Sequence, residues 1–173
     1  VLTFEPHPRA YFAPQTPAFR LMSPVARQNR LTKLGVEYLY ELPFNDSLAA
    51  LTPEQFAREV ISEGLGLTHV VIGQDFCFGK ARAGTAEDLL HFGEKMGFGV
   101  SIAPLLATKG AQVSSTAIRT ALSEGRPQDA AAMLGHWHRL EGAVQHGEKR
   151  GRELGFPTAN MHLTDLHLPK FGV

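Results

Sequence analysis

The sequence predicts an α/β fold built on an open, mostly parallel sheet. Apolar, strand-like runs alternate with segments of helical period, and one run, His69-Val70-Val71-Ile72-Gly73, has the near-continuous apolar character of a parallel strand covered on both faces. Helix-start chemistry stands in front of the helical segments, as at Ser23-Pro24 and Thr52-Pro53-Glu54. The 173 residues allow one domain and part of a second, at about 100–200 residues per domain. With 43% hydrophobic and 20% charged residues, the chain can bury a core and is not a candidate for global disorder.

Val1 to Phe4 reads as a buried strand stopped by Pro6 and Pro8, because proline has no amide hydrogen for a ladder. A proline-rich loop is expected through Pro17, then a helix from Ser23-Pro24 with Val25, Leu31 and Leu34 as its apolar stripe and Gly35 as its stop. Tyr38 to Leu42 reads as the next strand. A second crossover helix begins at Thr52, with Phe56, Val60, Ile61 and Leu65 at helical spacing. After the His69–Gly73 strand comes a Gly-rich loop to Gly84, then a helix over Ala86–Met96 with Leu89, Leu90 and Phe92 inward, and a strand over Val100–Leu106. Helices over Ser115–Ser123 and Pro127–Leu134 end the alternation. Gly135 marks the expected domain boundary, dividing the chain into 1–135 and 136–173, with Leu140–Val144 a strand in a new setting.

Composition limits the partners. Lys plus Arg equals Asp plus Glu at 17 each, so the sequence lacks the broad electrostatic footprint of a nucleic-acid or membrane-surface protein, and neither partner is expected. Cys77 is the single cysteine, which excludes an internal disulfide and a multi-cysteine zinc site. No apolar run approaches the ~18 residues of a membrane span, and a cytoplasmic location is expected. Homo-oligomer formation is compatible with the sequence. The apolar start without an initiator Met, and the equally abrupt finish at Pro169–Val173, read as two cut ends.

Three segments carry candidate chemistry. In Gly73–Gly84, the glycines admit close approach, Lys80 and Arg82 can meet phosphate, and Phe76 and Phe78 can flank a flat ring; the alternative is a turn whose phenylalanines enter the core. Ser114-Ser115-Thr116-Ala117-Ile118-Arg119 is a hydroxyl-rich helix entry with a cation one turn in. It suits phosphate, and equally suits simple N-capping. Gly151–Asn160 sets hydroxyl and amide oxygens of Thr158 and Asn160 two residues apart, which would share one side of an extended segment beside a hard cation; the alternative is a polar turn. His7, between two prolines at a strand end, is a further ligand candidate. His136 and His138 would share a strand face but lack a third ligand at defined spacing, so a histidine metal site is not expected.

In order along the chain, Thr3-Phe4-Glu5-Pro6-His7-Pro8, Gly35–Leu39 with Pro43-Phe44, Val71–Gly84, Val113–Arg119 and Gly147–Asn160 resemble the bacterial bifunctional riboflavin kinase and FMN adenylyltransferase family, also called FAD synthetase. The resemblance implies a Rossmann-like nucleotidyltransferase domain followed by the start of a β-barrel riboflavin kinase domain. It implies phosphorylation of riboflavin to FMN by ATP, then adenylylation of FMN to FAD with release of pyrophosphate, both with Mg2+. On that pattern Ser114, Ser115, Thr116 and Arg119 bind ATP phosphates, and His7, Asp75, Phe76, Phe78, Gly79, Arg82 and Gly84 form the flavin and nucleotide pocket. Gly151, Arg152, Gly155 and Pro157 form the kinase phosphate loop, with Thr158 and Asn160 at the metal. The family's Gly-x-Phe-Asp-Gly-x-His-x-Gly-His signature is absent and so is its kinase general base, so the resemblance leaves the 173-residue chain inactive by itself. A monofunctional nucleotidyltransferase and a non-catalytic flavin or nucleotide binder are the competing readings.

Overall fold

The computed structural model describes residues 1–108, 111–147, 150–156, 159–163 and 165–172. In chain order the elements begin with β1 (Leu2–Glu5), α1 (Pro8–Phe12), α2 (Pro24–Lys33), β2 (Tyr40–Pro43), α3 (Asp46–Ala50) and α4 (Pro53–Gln55), which runs into a π-helix over Phe56–Gly64. There follow β3 (His69–Gly73), a 3-10 turn over Lys80–Arg82, α5 (Ala86–Met96), β4 (Gly99–Ala103), β5 (Ala107–Thr108) and β6 (Ala111–Gln112). The chain continues through α6 (Ser115–Ser123), α7 (Pro127–Leu134), β7 (Ala143–Gln145), α8 (Arg150–Glu153) and β8 (Asn160–His162). These elements form two compact units. One comprises Leu2–Pro14 with Tyr40–Ala107; the other comprises Val1, Gln15–Leu39 and Thr108–Val173.

The first unit carries the parallel strands. β1 pairs with β2 from Leu2↔Tyr40 to Glu5↔Pro43, and β3 pairs with β4 from His69↔Gly99 to Gly73↔Ala103. Parallel pairing requires a crossover, and α5 supplies the one between β3 and β4. Its start is a capping box: the Asp88 amide donates to Thr85 Oγ1 at 3.3 Å and the Thr85 amide donates to the Asp88 carboxylate at 2.8 Å. Gly97, at φ +82°, ends it in the left-handed conformation that glycine reaches without a Cβ penalty. Leu89 is fully buried, whereas Leu90 is 38% exposed and does not join it inward as the spacing suggested.

The crossover helix expected from Thr52 is there, but most of it is π-helix. Thr52 and Gln55 form a capping box, and farther on the Leu65 amide donates to the Val60 carbonyl five residues back at 3.0 Å. The wider turn lines up positions i, i+1, i+4 and i+5, so Phe56, Ala57, Val60 and Ile61 are all buried together. They pack with Ile72, Phe78, Ala86, Leu89 and Phe98 in one core.

Two short helices were not foreseen: α1 stands where a proline-rich loop was expected, and α3 lies in a stretch to which the sequence assigned no element. Pro8 occupies the first turn of α1, and the His7 ring accepts the Arg9 amide at 3.0 Å as its cap. Asn45 caps α3 through the Leu48 amide at 3.0 Å. Five-residue helices are too short to show apolar periodicity. β3 also departs from expectation: Ile72 is its buried residue, while Val71, on the opposite face, is 67% exposed. A β-branched apolar run therefore signalled a strand correctly without signalling cover on both faces.

In the second unit, Ser23 Oγ caps α2 by accepting the Ala26 amide at 3.1 Å, and Gly35 at φ +79° follows the helix end. No α2 residue is buried, and Val25 and Leu34 of the expected stripe are exposed. The core here lies between α6 and α7, around Ile118, Ala121, Leu122 and Ala130. Residues near the C-terminus return to it: Arg20 and Leu166 form a parallel bridge, and the Lys170 amide donates to the Leu122 carbonyl at 2.9 Å. β7 and β8 are antiparallel and exposed throughout.

The core and cap make two predictions. Leu89→Ala should lower unfolding free energy by about 2–5 kcal/mol in urea denaturation, whereas Val71→Ser should stay within about 0.5 kcal/mol. The Thr85 amide and hydroxyl bonds hold the Asp88 carboxyl below its ordinary pKa of 3.8, so its stabilisation is present above that value and fades as pH falls through the lowered one. Asp88→Asn should thus be less stable than the parent chain at neutral pH, with the gap closing on acidification.

Candidate functional site

The loop after β3 folds back on itself before it reaches α5. Phe78 and Gly84 exchange backbone hydrogen bonds of 3.0 and 2.9 Å, forming an antiparallel bridge that closes the turn over residues 79–83. Both glycines of the turn face Pro53 closely: a Cβ at Gly79 would lie 2.7 Å from the Pro53 nitrogen, and one at Gly84 would lie 2.8 Å from the Pro53 Cβ. The Lys80 amide anchors the tip to the Leu51 carbonyl at 2.7 Å. Ala81 and Arg82 then hold φ values of +55° and +58°, a strained pair that side-chain-bearing residues rarely adopt.

This closure places Phe78 in the core and leaves Phe76 stacked on it, with ring centroids 5.4 Å apart and planes 15° apart. Both readings of the loop are therefore partly right. Phe78 tucks inward and touches Phe56 at 5.7 Å between centroids, while Phe76 remains half-buried. Phe56 meets Phe4, and Phe4 meets Phe44 edge-on at 5.7 Å. Phe12 continues the run against Phe44 at 5.6 Å.

These rings line a cavity of about 680 Å³ within this unit, in the size range of small-molecule sites. Its polar wall comes from His7, Arg9 and Arg82, and no carboxylate lines it. Apolar faces with two guanidinium groups and an imidazole suit a flat heteroaromatic ring bearing an anion. Tyr11 braces the α1 side by donating to Asp46 of α3, a bond that raises the phenol pKa. Of the loop residues singled out in the sequence, His7, Phe76, Phe78, Gly79 and Arg82 line the cavity. Gly84 shapes the loop from behind, and Asp75 is exposed and outside the lining. Arg9, Phe12, Leu48 and Ala49 also line it, and sequence reasoning missed them because they sit on α1, which it read as loop, and on α3, to which it assigned no element.

In the second unit, α6 begins where its hydroxyls predicted. Ser114 Oγ accepts the Ala117 amide at 3.1 Å, so Ser114 is an N-cap in the structure, while Ser115 and Thr116 form the first helical turn beside it. Arg119 Nε donates to the Phe19 carbonyl at 2.6 Å, and its guanidinium carbon lies 5.6 Å from the centre of the Phe19 ring. The cation is thus held in place from a segment 100 residues away. Gly151 and Arg152 fall in α8; the Arg152 side chain lies outside the description, as do Pro157 and Thr158. Gly155 has φ +82°, and Asn160 opens β8 with its carboxamide over Gly147, where a Cβ would collide with it. Among the described residues no three His, Cys, Asp or Glu side chains cluster as a metal set.

Comparison with known proteins converges on these segments. A family model described as FAD synthetase matches residues 1–117, and one described as riboflavin kinase matches residues 134–173. Curated relatives named bifunctional riboflavin kinase/FMN adenylyltransferase are 39% identical in Pseudomonas fluorescens, 35% in Listeria monocytogenes and 37% in Bacillus subtilis, each match covering 100% of this chain. The chain spans 55% of the length of each of these relatives. A crystal structure titled macrolide-efflux protein, from Streptococcus pneumoniae, superposes with a TM-score of 0.84 at 33% identity over 99% of this chain and 56% of its own. That title names a different activity from the curated relatives, and no helix among the described residues is long and apolar enough to cross a membrane. With β1 to β6, the aromatic cavity loop and the α6 entry all inside or at the edge of the longer match, the chain belongs to the FAD synthetase family.

Proposed function

We propose that the chain supplies flavin and ATP recognition for FMN adenylylation, in which a phosphate oxygen of FMN attacks the α-phosphorus of ATP and pyrophosphate leaves. The observation that carries this is the cavity lined by Phe4, Phe12, Phe44 and Phe76 with Arg9 and Arg82 at its wall. Flavin is flat, apolar over its ring faces and, as FMN, anionic at one end. Phosphoryl and nucleotidyl transfers ask the protein mainly for alignment and for neutralisation of charge. Arg82, on a strained loop tip pinned by Phe78 and Gly84, is pre-positioned for the FMN phosphate; Ser114, Ser115, Thr116 and Arg119 take the ATP phosphates at the α6 entry.

Residues 136–173 open a riboflavin kinase domain, which phosphorylates riboflavin with ATP, and 1–135 form the adenylyltransferase domain. The two family matches, over residues 1–117 and 134–173, support a division close to Gly135. The exposed amide oxygen of Asn160 is a neutral hard donor and fits a Mg2+ that takes its other ligands from Thr158, water and phosphate. That ion would neutralise phosphate charge, with Gly151, Arg152, Gly155 and Pro157 shaping the loop beside it. The working setting is the cytoplasm, and the partners are small molecules: riboflavin, FMN, FAD and ATP.

Flavin fluorescence tests the cavity. FMN should lose fluorescence saturably on addition of the chain, and Phe76→Ala should weaken binding about tenfold, as expected for one stacked ring. Absence of saturable quenching, or quenching indifferent to Phe76, would overturn the assignment. Arg82→Ala should weaken FMN more than riboflavin in the same titration; equal losses for the two flavins would show that Arg82 does not meet the phosphate.

A further inference from the structure

The second unit holds another cleft, of about 550 Å³, which the flavin and ATP assignments do not use. α2 forms one wall with Asn29, Arg30 and Lys33, and the stretch after α7 forms the other with His136, Trp137 and Arg139. Like the flavin cavity it has no carboxylate in its lining. Arg139 pairs with Glu141 at 3.3 Å outside the lining, but among the described residues no carboxylate pairs with Arg30 or Lys33. Two cations that no described carboxylate pairs with, beside a concave apolar surface, raise the local affinity for an anion.

The same cleft offers a ring surface. Trp137, the one tryptophan of the chain, is 70% exposed there, an unusual exposure for the largest apolar side chain. His136 is oriented by a 2.8 Å contact from Nδ1 to the Trp137 carbonyl, which fixes that nitrogen as the donor. His138 is half-buried; desolvation lowers its pKa, and its hydrogen bond to the Leu21 backbone only partly offsets this. The imidazole is therefore neutral at neutral pH. The Leu21 bond uses one nitrogen, and Nε2 is buried without a hydrogen-bond partner, so the ring lies beneath the cleft surface as a neutral wall.

We propose that this cleft between α2 and residues 134–140 binds a phosphorylated aromatic ligand, a mononucleotide in chemical class, with the ring on Trp137 and the phosphate at Arg30 and Lys33. The site belongs wholly to the second unit and shares no lining residue with the flavin cavity, so it holds or fails independently of that assignment. AMP, adenosine and inorganic phosphate are the probes, with Trp137 emission excited at 295 nm as the reporter, about the red edge where tryptophan alone absorbs and adenine does not.

AMP should change Trp137 emission saturably, and adenosine should bind at least about tenfold more weakly, because the phosphate contact is lost. Lys33→Glu, at an exposed helix position, should weaken AMP about tenfold or more while leaving FMN quenching at the other unit unchanged. The Arg30→Ala and Lys33→Ala double variant should do the same, and equilibrium dialysis with Trp137→Phe should show weakened AMP binding by a readout that needs no tryptophan. The proposal is overturned if AMP gives no saturable change to millimolar concentration, if adenosine equals AMP, or if AMP binding is indifferent to Lys33→Glu. Phosphate alone competing as well as AMP would reduce the site to an anion patch and would equally overturn it.

Discussion

Phe78 is the residue on which the first unit's site depends. Its backbone closes the loop onto Gly84, its ring is buried against Phe56, and its outer face carries Phe76. A loop of twelve residues between strand and helix would otherwise sample many conformations, at an entropy cost of order 1 kcal/mol or more for each residue ordered. Burying one aromatic ring and making two backbone bonds at the loop's neck reduces the segment left to be ordered to its tip. The strained φ values of Ala81 and Arg82 can then be tolerated, because Lys80 on one side and Gly84 on the other over-determine the path. Pro53 completes the closure by leaving room only for glycine at positions 79 and 84.

The same economy explains why the cavity is aromatic. Phe56 belongs to the π-helix, Phe4 to β1 and Phe44 to the turn after β2, so each ring comes from an element with its own reason to be placed. The π-helical register is what brings Phe56 and Ala57 to the core side by side with Val60 and Ile61. An α-helix would turn Ala57 and Ile61 away from Phe56 and Val60 by a larger angle. The cavity is thus a product of core packing, with cations added from α1 and the loop tip and no carboxylate among its lining residues. The chain's zero formal net charge hides this: cations gather at the cavity wall while acidic groups stand elsewhere on exposed helices.

Much of the fold was legible because its signals are local. Ser23, Thr52 and Ser114 each stand as caps, and α5, α6, α7 and β3 run over the residues their sequence pattern indicated. Short elements escaped. α1 and α3 have five residues each, less than one and a half turns, and cannot show an amphipathic repeat. Exposure escaped too, since an apolar residue such as Val71 or Val25 carries no mark of whether another layer will cover it.

By itself the sequence determined the alternation of strands and helices, the caps, the glycine-rich loop and the ordered motifs that identify the family. All of these depend on neighbours within a few residues, or on chemical types that a family resemblance can read directly. Tertiary structure alone decided that Phe78 goes inward while Phe76 lines a cavity, that Arg9 joins Arg82 at its wall, and that Arg119 is held by Phe19. It also decided that Trp137 faces a cleft shared with α2. Those outcomes depend on which surfaces meet across long stretches of chain, and whether a ring or a cation is covered is settled by what packs against it.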